Sequence, residues 1–286
     1  MLPIERSPTG LRAMVAAWRA DGARVALVPT MGALHDGHAA LIRATRAEAE
    51  RVVVSIFVNP RQFGPNEDFD RYPPDEAADV TAAARAGADL VYAPAISAMY
   101  PSGYATTVSV AGLSEGLCGA QRPGHFDGMA TVVTKLLLQA GAGSAWFGEK
   151  DYQQWLVVRR LVADLDIPVR LRAVPTVREA DGLALSSRNR FLSPGERAIA
   201  PRLAVVLHEI ATRATATPDA IAPLLAEGHA VLTAAGFKVE YLEIRDAETL
   251  APCTTCRAPA RVLAAVRLGS VRLIDNWPIP TAAQRA

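Results

Sequence analysis

Residues 25–38 read VALVPTMGALHDGH: a short apolar run from Val25 to Pro29, a turn punctuated by Gly32, then His35-Asp36-Gly37-His38 opening onto an Ala- and Leu-rich stretch. Strand-length apolar sequence followed through a glycine turn by a longer helical pattern predicts strand, turn and helix. The same alternation continues outward. Strand patterns lie at 24–29, 52–58, 89–93, 145–147 and 169–174, and helical patterns at 39–49, 76–86, 129–140 and 152–165. Strands this short and this apolar are buried on both faces, so the pattern predicts an α/β fold with a parallel sheet and crossover helices on both faces. After Asn189 the texture changes. Ser193-Pro194 opens a helix with Ser193 as N-cap, a second helix begins near Pro218, and β sequence follows at 239–244, 261–266 and 270–273. These elements predict a smaller C-terminal α+β domain, with the chain divided into 1–186 and 187–286.

The composition narrows the partners. The chain has 286 residues, half of them hydrophobic, with a formal net charge of +1, which gives no electrostatic footprint for nucleic acid. No uncharged apolar stretch reaches bilayer length, and no basic region followed by an apolar run opens the chain. Three cysteines, Cys118, Cys253 and Cys256, do not form a secreted disulfide framework, so the expectation is a cytoplasmic protein acting on small molecules. Lys135, Lys150 and Lys238 are the only lysines among 30 basic residues, so each is an exception to an arginine habit.

Four stretches carry chemistry. His35 and His38 stand three residues apart where a strand meets a helix, the place where helix N-termini offer free N–H groups to phosphate. Gly37 lets a ligand approach the backbone. The plainer alternative has Asp36 capping the helix and both histidines solvated. The pattern resembles the HxGH signature of the nucleotidylyltransferase superfamily, whose histidines steady phosphates during attack on the α-phosphorus. Gly148-Glu149-Lys150-Asp151 follows another strand pattern; Lys150 supplies a compact point charge and Asp151 could cap the next helix, the alternative being a solvated ion pair. Leu185-Ser186-Ser187-Arg188 offers hydroxyls, backbone N–H groups and a guanidinium to a polyphosphate, though such a sequence also makes ordinary loops. Asn59 and Gln62, at the end of a strand pattern, offer amides to a carboxylate or hydroxyl, or simply a turn set by Pro60.

Taken in order, VPTMGALHDGH, VSIFVNPRQFG, RPGHFDGMATVVTKL, FGEKDYQQ, LSSRNRFLS and VRLIDNWP resemble the pantothenate synthetase (pantoate–β-alanine ligase) family over nearly the whole chain. The resemblance implies a Rossmann-type N-terminal domain, a smaller domain closing over the site, and a homodimer. It implies ATP-dependent joining of pantoate to β-alanine through a pantoyl-adenylate, with AMP and pyrophosphate released. Met31, Gly32, Ala33, Leu34, His35, Asp36, Gly37 and His38 would line the ATP site, with His38 as proton donor. Gly148, Glu149, Lys150, Asp151, Val177, Leu185, Ser186, Ser187 and Arg188 would complete it. His35, His38, Lys150 and Arg188 are the catalytic set, and Gln62 and Gln154 would hold pantoate. Mg²⁺ is expected with ATP. The family commonly has Met where this chain has Leu185, and an acidic residue where it has Ala78, within Tyr72 to Asp79. That leaves Asp79 as the metal-ligand candidate.

Other readings compete. A nucleotidylyltransferase that leaves the nucleotide on its product would share HxGH. Gly112-Leu-Ser-Glu-Gly116 matches the G-x-S-x-G elbow of hydrolases and follows a strand-like stretch at 106–111, but it runs into loop sequence rather than a helix. Gly141-Ala-Gly143 lacks the third glycine of a dinucleotide-binding turn. Cys253-Thr-Thr-Cys256 would need a second pair to make a zinc site.

Overall fold

The structure is a computed structural model and describes residues 2–64 and 75–280. Tyr72 to Pro74, part of the segment around the expected acidic pair, therefore lie outside the described residues. The chain forms two compact units: Met1–Glu149 with Val157–Pro175, and Lys150–Leu156 with Thr176–Ala286.

The first unit is built on six parallel strands: β1 (Ile4–Glu5), β2 (Val25–Thr30), β3 (Arg51–Ile56), β4 (Leu90–Tyr92), β5 (Ser144–Gly148) and β6 (Arg170–Val174). Their order is β1-β4-β3-β2-β5-β6. β2 pairs with β3 from Val25↔Arg51 to Thr30↔Ile56 and with β5 through Ala26↔Ser144 and Leu27↔Ala145. From β2 the chain moves outward through β3 to β4, then returns to place β5 on the other side of β2. The order thus reverses between β2 and β5, the point where an open α/β sheet leaves a crevice at its carboxyl edge.

Both faces are covered, which is why the strands read as continuous apolar runs. Ala26, Val28, Val52, Val54 and Ile56 pack with Leu41 and Ile42 of α2 (Asp36–Glu48) and Ala83 of α3 (Glu76–Ala86). Alternate residues face the other way. There α1 (Pro8–Ala20) and α6 (His125–Ala140) pack on each other and on β2. Ser7 caps α1 at Gly10 N–H, with Pro8 in the first turn. Between β4 and α6 lie the short helices α4 (Ile96–Met99) and α5 (Cys118–Gln121), and α7 (Tyr152–Asp164) joins β5 to β6.

One expected strand is absent. Residues 106–111 form no ladder, because α6 satisfies their polar groups instead: Val108 N–H donates to Thr131 Oγ1 at 2.9 Å and Ser109 Oγ to Asp127 Oδ1 at 2.7 Å. The serine after them is no exposed nucleophile, since Ser114 Oγ donates to Val110 O within the following turn.

The second unit has an antiparallel sheet, β7 (Lys238–Asp246), β8 (Ala260–Leu268) and β9 (Val271–Ile279), in that order. The pattern opening at Ser193 resolves into α8 (Pro194–Ile199) and α9 (Arg202–Ala216), and α10 (Ile221–Ala234) follows. Ser193 and Glu196 form a reciprocal capping box at α8, as the sequence predicts for Ser193. Leu203, Leu207 and Ile210 of α9 and Leu224 and Leu232 of α10 share a core with Val262, Ala264 and Val266 of β8. Leu207, fully buried, contributes about 2 kcal/mol by leaving water. No helix among the described residues is long and apolar enough to cross a membrane.

Candidate active site

In the first unit the site is assembled at the carboxyl end of β2. Thr30 Oγ1 donates to Ser55 O at 2.6 Å and accepts Gly32 N–H at 3.2 Å, so the chain leaves the sheet in a fixed direction. Gly32 and Ala33 then take φ of +83° and +51°, a turn that favours glycine at the first position. Asp79, 3% exposed on α3, accepts Ala33 N–H at 2.8 Å and Leu34 N–H at 2.7 Å.

The cap of α2 is His35 rather than Asp36, which occupies the exposed first helical position. His35 Nδ1 accepts Gly37 N–H at 3.1 Å, and His35 N–H points to His38 Nδ1 at 3.3 Å. The two rings lie 4.1 Å apart between centroids. A backbone N–H needs an acceptor, so each Nδ1 is unprotonated and each neutral ring carries its proton on Nε2. The pair thus presents two N–H donors beside a helix N-terminus, where the backbone dipole already favours an anion.

Gln62, 7% exposed, ends a single 3₁₀ turn, Pro60–Gln62, after β3. Asn59 holds it, donating from Nδ2 to Gln62 Oε1 and to Gly128 O, each at 3.0 Å, while Tyr100 OH donates to Asn59 Oδ1 at 2.8 Å. Burial pushes the Tyr100 phenol well above its ordinary value, which keeps it a donor. With its oxygen occupied, the Gln62 amide presents Nε2, which lies 3.2 Å from Met31 Sδ. Gly128 makes this seat possible: a Cβ there would stand 2.1 Å from Arg61 O. Behind the turn, His125 Nδ1 meets Gln62 O at 2.8 Å, and Arg122 reaches both Gln62 O, at 3.3 Å, and His125 Nε2, at 3.0 Å. Arginine only donates and a carbonyl only accepts, which fixes the His125 proton on Nδ1.

β5 ends at Gly148, and Glu149–Asp151 turn into α7, whose third residue is Gln154. In the second unit, Asn276 Nδ2 donates to Lys150 O at 2.9 Å and Asn276 Oδ1 accepts from Arg261, whose guanidinium lies 3.7 Å from the Tyr152 ring. Next to it, Asp275 takes both terminal nitrogens of Arg178, at 2.7 and 2.9 Å, while Arg178 stacks on Trp277 at 4.2 Å. Arg178 pairs with Ala184 in a two-sided turn, and Leu185 N–H donates to Val177 O at 3.0 Å. That hairpin delivers Ser186, whose Oγ accepts Arg188 N–H at 3.2 Å and still has its own proton to donate.

Sequence reasoning thus finds the residues that lead and misses those that hold them. His125 and Arg122 stand in the quoted RPGHFDG stretch, and Asp275 and Asn276 in the quoted VRLIDNWP tail, without roles assigned to them. Their partners lie far away along the chain, so only the motif itself could have signalled them.

Both oxygens of Asp79, the metal-ligand candidate, face backbone N–H groups, and among the described residues no three of His, Cys, Asp and Glu are grouped to hold a metal ion. None of Cys118, Cys253 and Cys256 is joined in a disulfide, and burial pushes the Cys256 thiol up to about 11.

Comparison with known proteins gives the family. The model of the pantoate-beta-alanine ligase family matches residues 4–278. A pantothenate synthetase of Paramagnetospirillum magneticum is 57% identical over 276 residues, 96% of each chain, and one of Chelativorans sp. is 56% identical over 99% of each. Among solved structures, pantothenate synthetase from Thermus thermophilus is 47% identical with a TM-score of 0.91, covering 97% of this chain and 99% of that one. The pantoate-beta-alanine ligase of Francisella tularensis, complexed with beta-gamma ATP and β-alanine, is 33% identical with a TM-score of 0.82, covering 97% of each.

Proposed function

The chain belongs to the pantoate–β-alanine ligase family, and from that premise we propose that ATP drives its ligation of pantoate to β-alanine through a pantoyl-adenylate. The observation that carries this reading is the His35–His38 pair, two Nε2–H donors set beside the N-terminus of α2.

A carboxylate resists attack by an amine because oxide is a poor leaving group. In the first step a pantoate carboxylate oxygen bonds to the α-phosphorus of ATP while the bond from that phosphorus to the pyrophosphate oxygen breaks. Charge shifts onto the departing pyrophosphate, where Lys150 and Arg188 neutralise it and His35 and His38 stabilise it as Nε2–H hydrogen-bond donors. In the second step the β-alanine nitrogen bonds to the acyl carbon, the carbon–oxygen bond to AMP breaks, and the amine loses its proton to solvent. Most of the catalysis is positioning. Gln62 and Gln154 hold pantoate, and the Ser186–Arg188 turn with Gly148–Asp151 holds the triphosphate. Mg²⁺ bound with ATP would supply further charge neutralisation at the phosphates.

The test is ATP–pyrophosphate exchange. Exchange that needs pantoate and proceeds without β-alanine supports the two steps. Exchange without pantoate, or exchange dependent on β-alanine, overturns them, and product that retains AMP would make the protein a nucleotidyl transferase. We further propose a homodimer, for which light scattering would give twice 30.4 kDa. A cytoplasmic location is in keeping with three cysteines that form no disulfide.

A further inference from the structure

Two consecutive N–H groups in a left-handed turn make a concavity that binds anions. Ala33 and Leu34 form such a nest directly before His35, with φ of +83° at Gly32 and +51° at Ala33. In a loop that handles phosphates, the obvious occupant is a phosphate. Here the occupant is the protein's own carboxylate. Asp79 reaches across from α3, 3% exposed, and gives one oxygen to each N–H, at 2.8 and 2.7 Å. The fit is close, since a Cβ on Gly32 would stand 2.7 Å from Asp79 Oδ2 and 3.1 Å from Ile56 Cγ2.

We propose that Asp79 is a positioning residue that fills the Ala33–Leu34 nest, fixes the loop in front of α2 and thereby directs ATP phosphates to the His35–His38 end of the helix, instead of ligating a metal ion. Neighbouring residues on a helix do not face the same way. Ala78 is exposed while Asp79 is buried, so an acidic residue at position 78 would not share a cation with Asp79. Removing the carboxylate leaves the paired N–H groups open to a competing anion and lets the loop leave its left-handed turn.

The proposal rests on the reading of this loop as the nucleotide site, and its test begins with a measurement that needs no activity. In nucleotide-free enzyme, Asp79→Asn puts an amide NH₂ against one of the N–H donors. Amide hydrogen exchange in residues 31–36 should rise roughly tenfold or more, while β3 and β4 keep their protection. Gly32→Ala, which displaces the carboxylate and retains its charge, should do the same and serves if Asp79→Asn does not fold. In the adenylation assay Asp79→Asn should raise the KM for ATP about tenfold, leaving the Mg²⁺ concentration for half-maximal rate within about twofold. Ala78→Asp should leave that Mg²⁺ dependence unchanged. Unchanged exchange in both loop variants overturns the proposal. So does a Mg²⁺ requirement that rises tenfold in Asp79→Asn and is overcome by excess Mg²⁺. Altered exchange in an enzyme that proves not to adenylate pantoate would keep the nest and discard the functional reading.

Discussion

The Arg178–Asp275 pair offers the sharpest energetic test. The Asp275 side chain is 2% exposed and that of Arg178 17%, and two hydrogen bonds of 2.7 and 2.9 Å join them. Arg178 also donates to Gly182 O at 3.0 Å, and Asp275 accepts Asn276 N–H at 2.7 Å. Asp275→Leu leaves a mostly buried guanidinium without its counterion. Breaking one side of a buried pair costs about 3–5 kcal/mol, and the residual exposure of Arg178 to water brings that to roughly 2–4 kcal/mol. Arg178→Met strands the carboxylate at a similar cost. In the double variant neither charge is stranded, so the loss should be well short of the sum, with a coupling of about 2–3 kcal/mol. Scanning calorimetry, which separates transitions when two units unfold apart, is the assay. A double variant destabilised by the full sum of the two singles would refute the claim that the charges act as a pair. Since Arg178 anchors the hairpin that delivers Ser186–Arg188, both single variants should also raise the KM for ATP.

His38→Ala should slow pyrophosphate exchange roughly 10²–10³-fold if its Nε2–H hydrogen-bonds the departing pyrophosphate; an unchanged rate would remove it from the chemistry. Asn59→Ala should raise the KM for pantoate about tenfold with a smaller change in kcat, because it loosens Gln62 without touching the phosphates, and steady-state kinetics at saturating ATP would show this. Burial opposes ionisation of Glu240, but the Arg272 and Arg267 guanidiniums, at 2.7 and 2.8 Å, overcome it and hold its carboxyl below 4.5. A depressed folded-state pKa stabilises above the unfolded value and is lost as pH falls through the folded one. Unfolding midpoints should therefore drop more steeply below pH 4.5 in the native protein than in Glu240→Gln, and parallel curves would count against it.

Much of the fold was legible because burial on both faces writes itself into local sequence. The runs at β2 and β3 needed no partner to be recognised, and Ser193 announced its helix. Ser7-Pro8 carried the same kind of signal for α1 and was passed over. Residues 106–111 misled because β-branched composition reports a fit to a pleated surface, whereas here an α6 side chain took the Val108 N–H. In the site, the histidine pair is legible as a strand-to-helix junction, and of the plainer alternative, with Asp36 as the cap, the structure keeps nothing at the cap, which is an imidazole Nδ1. The supporting contacts had no local trace. Asp79 lies 46 residues from Ala33 and His125 lies 63 from Gln62, and no periodicity links such partners.

The bond from Asn276 to the Lys150 carbonyl also has a meaning in time. The donor is synthesised 126 residues after its acceptor, which at roughly 5–20 residues per second is a delay of about 6–25 s on the ribosome. During that interval all six strands of the parallel sheet have been made, and the histidine turn with them, while Lys150 still lacks the partner that β9 brings. A nascent chain can therefore acquire its histidine turn well before Lys150 is secured. Translation that stops after β8 should yield a protein whose parallel sheet is folded and which lacks the Asn276–Lys150 bond.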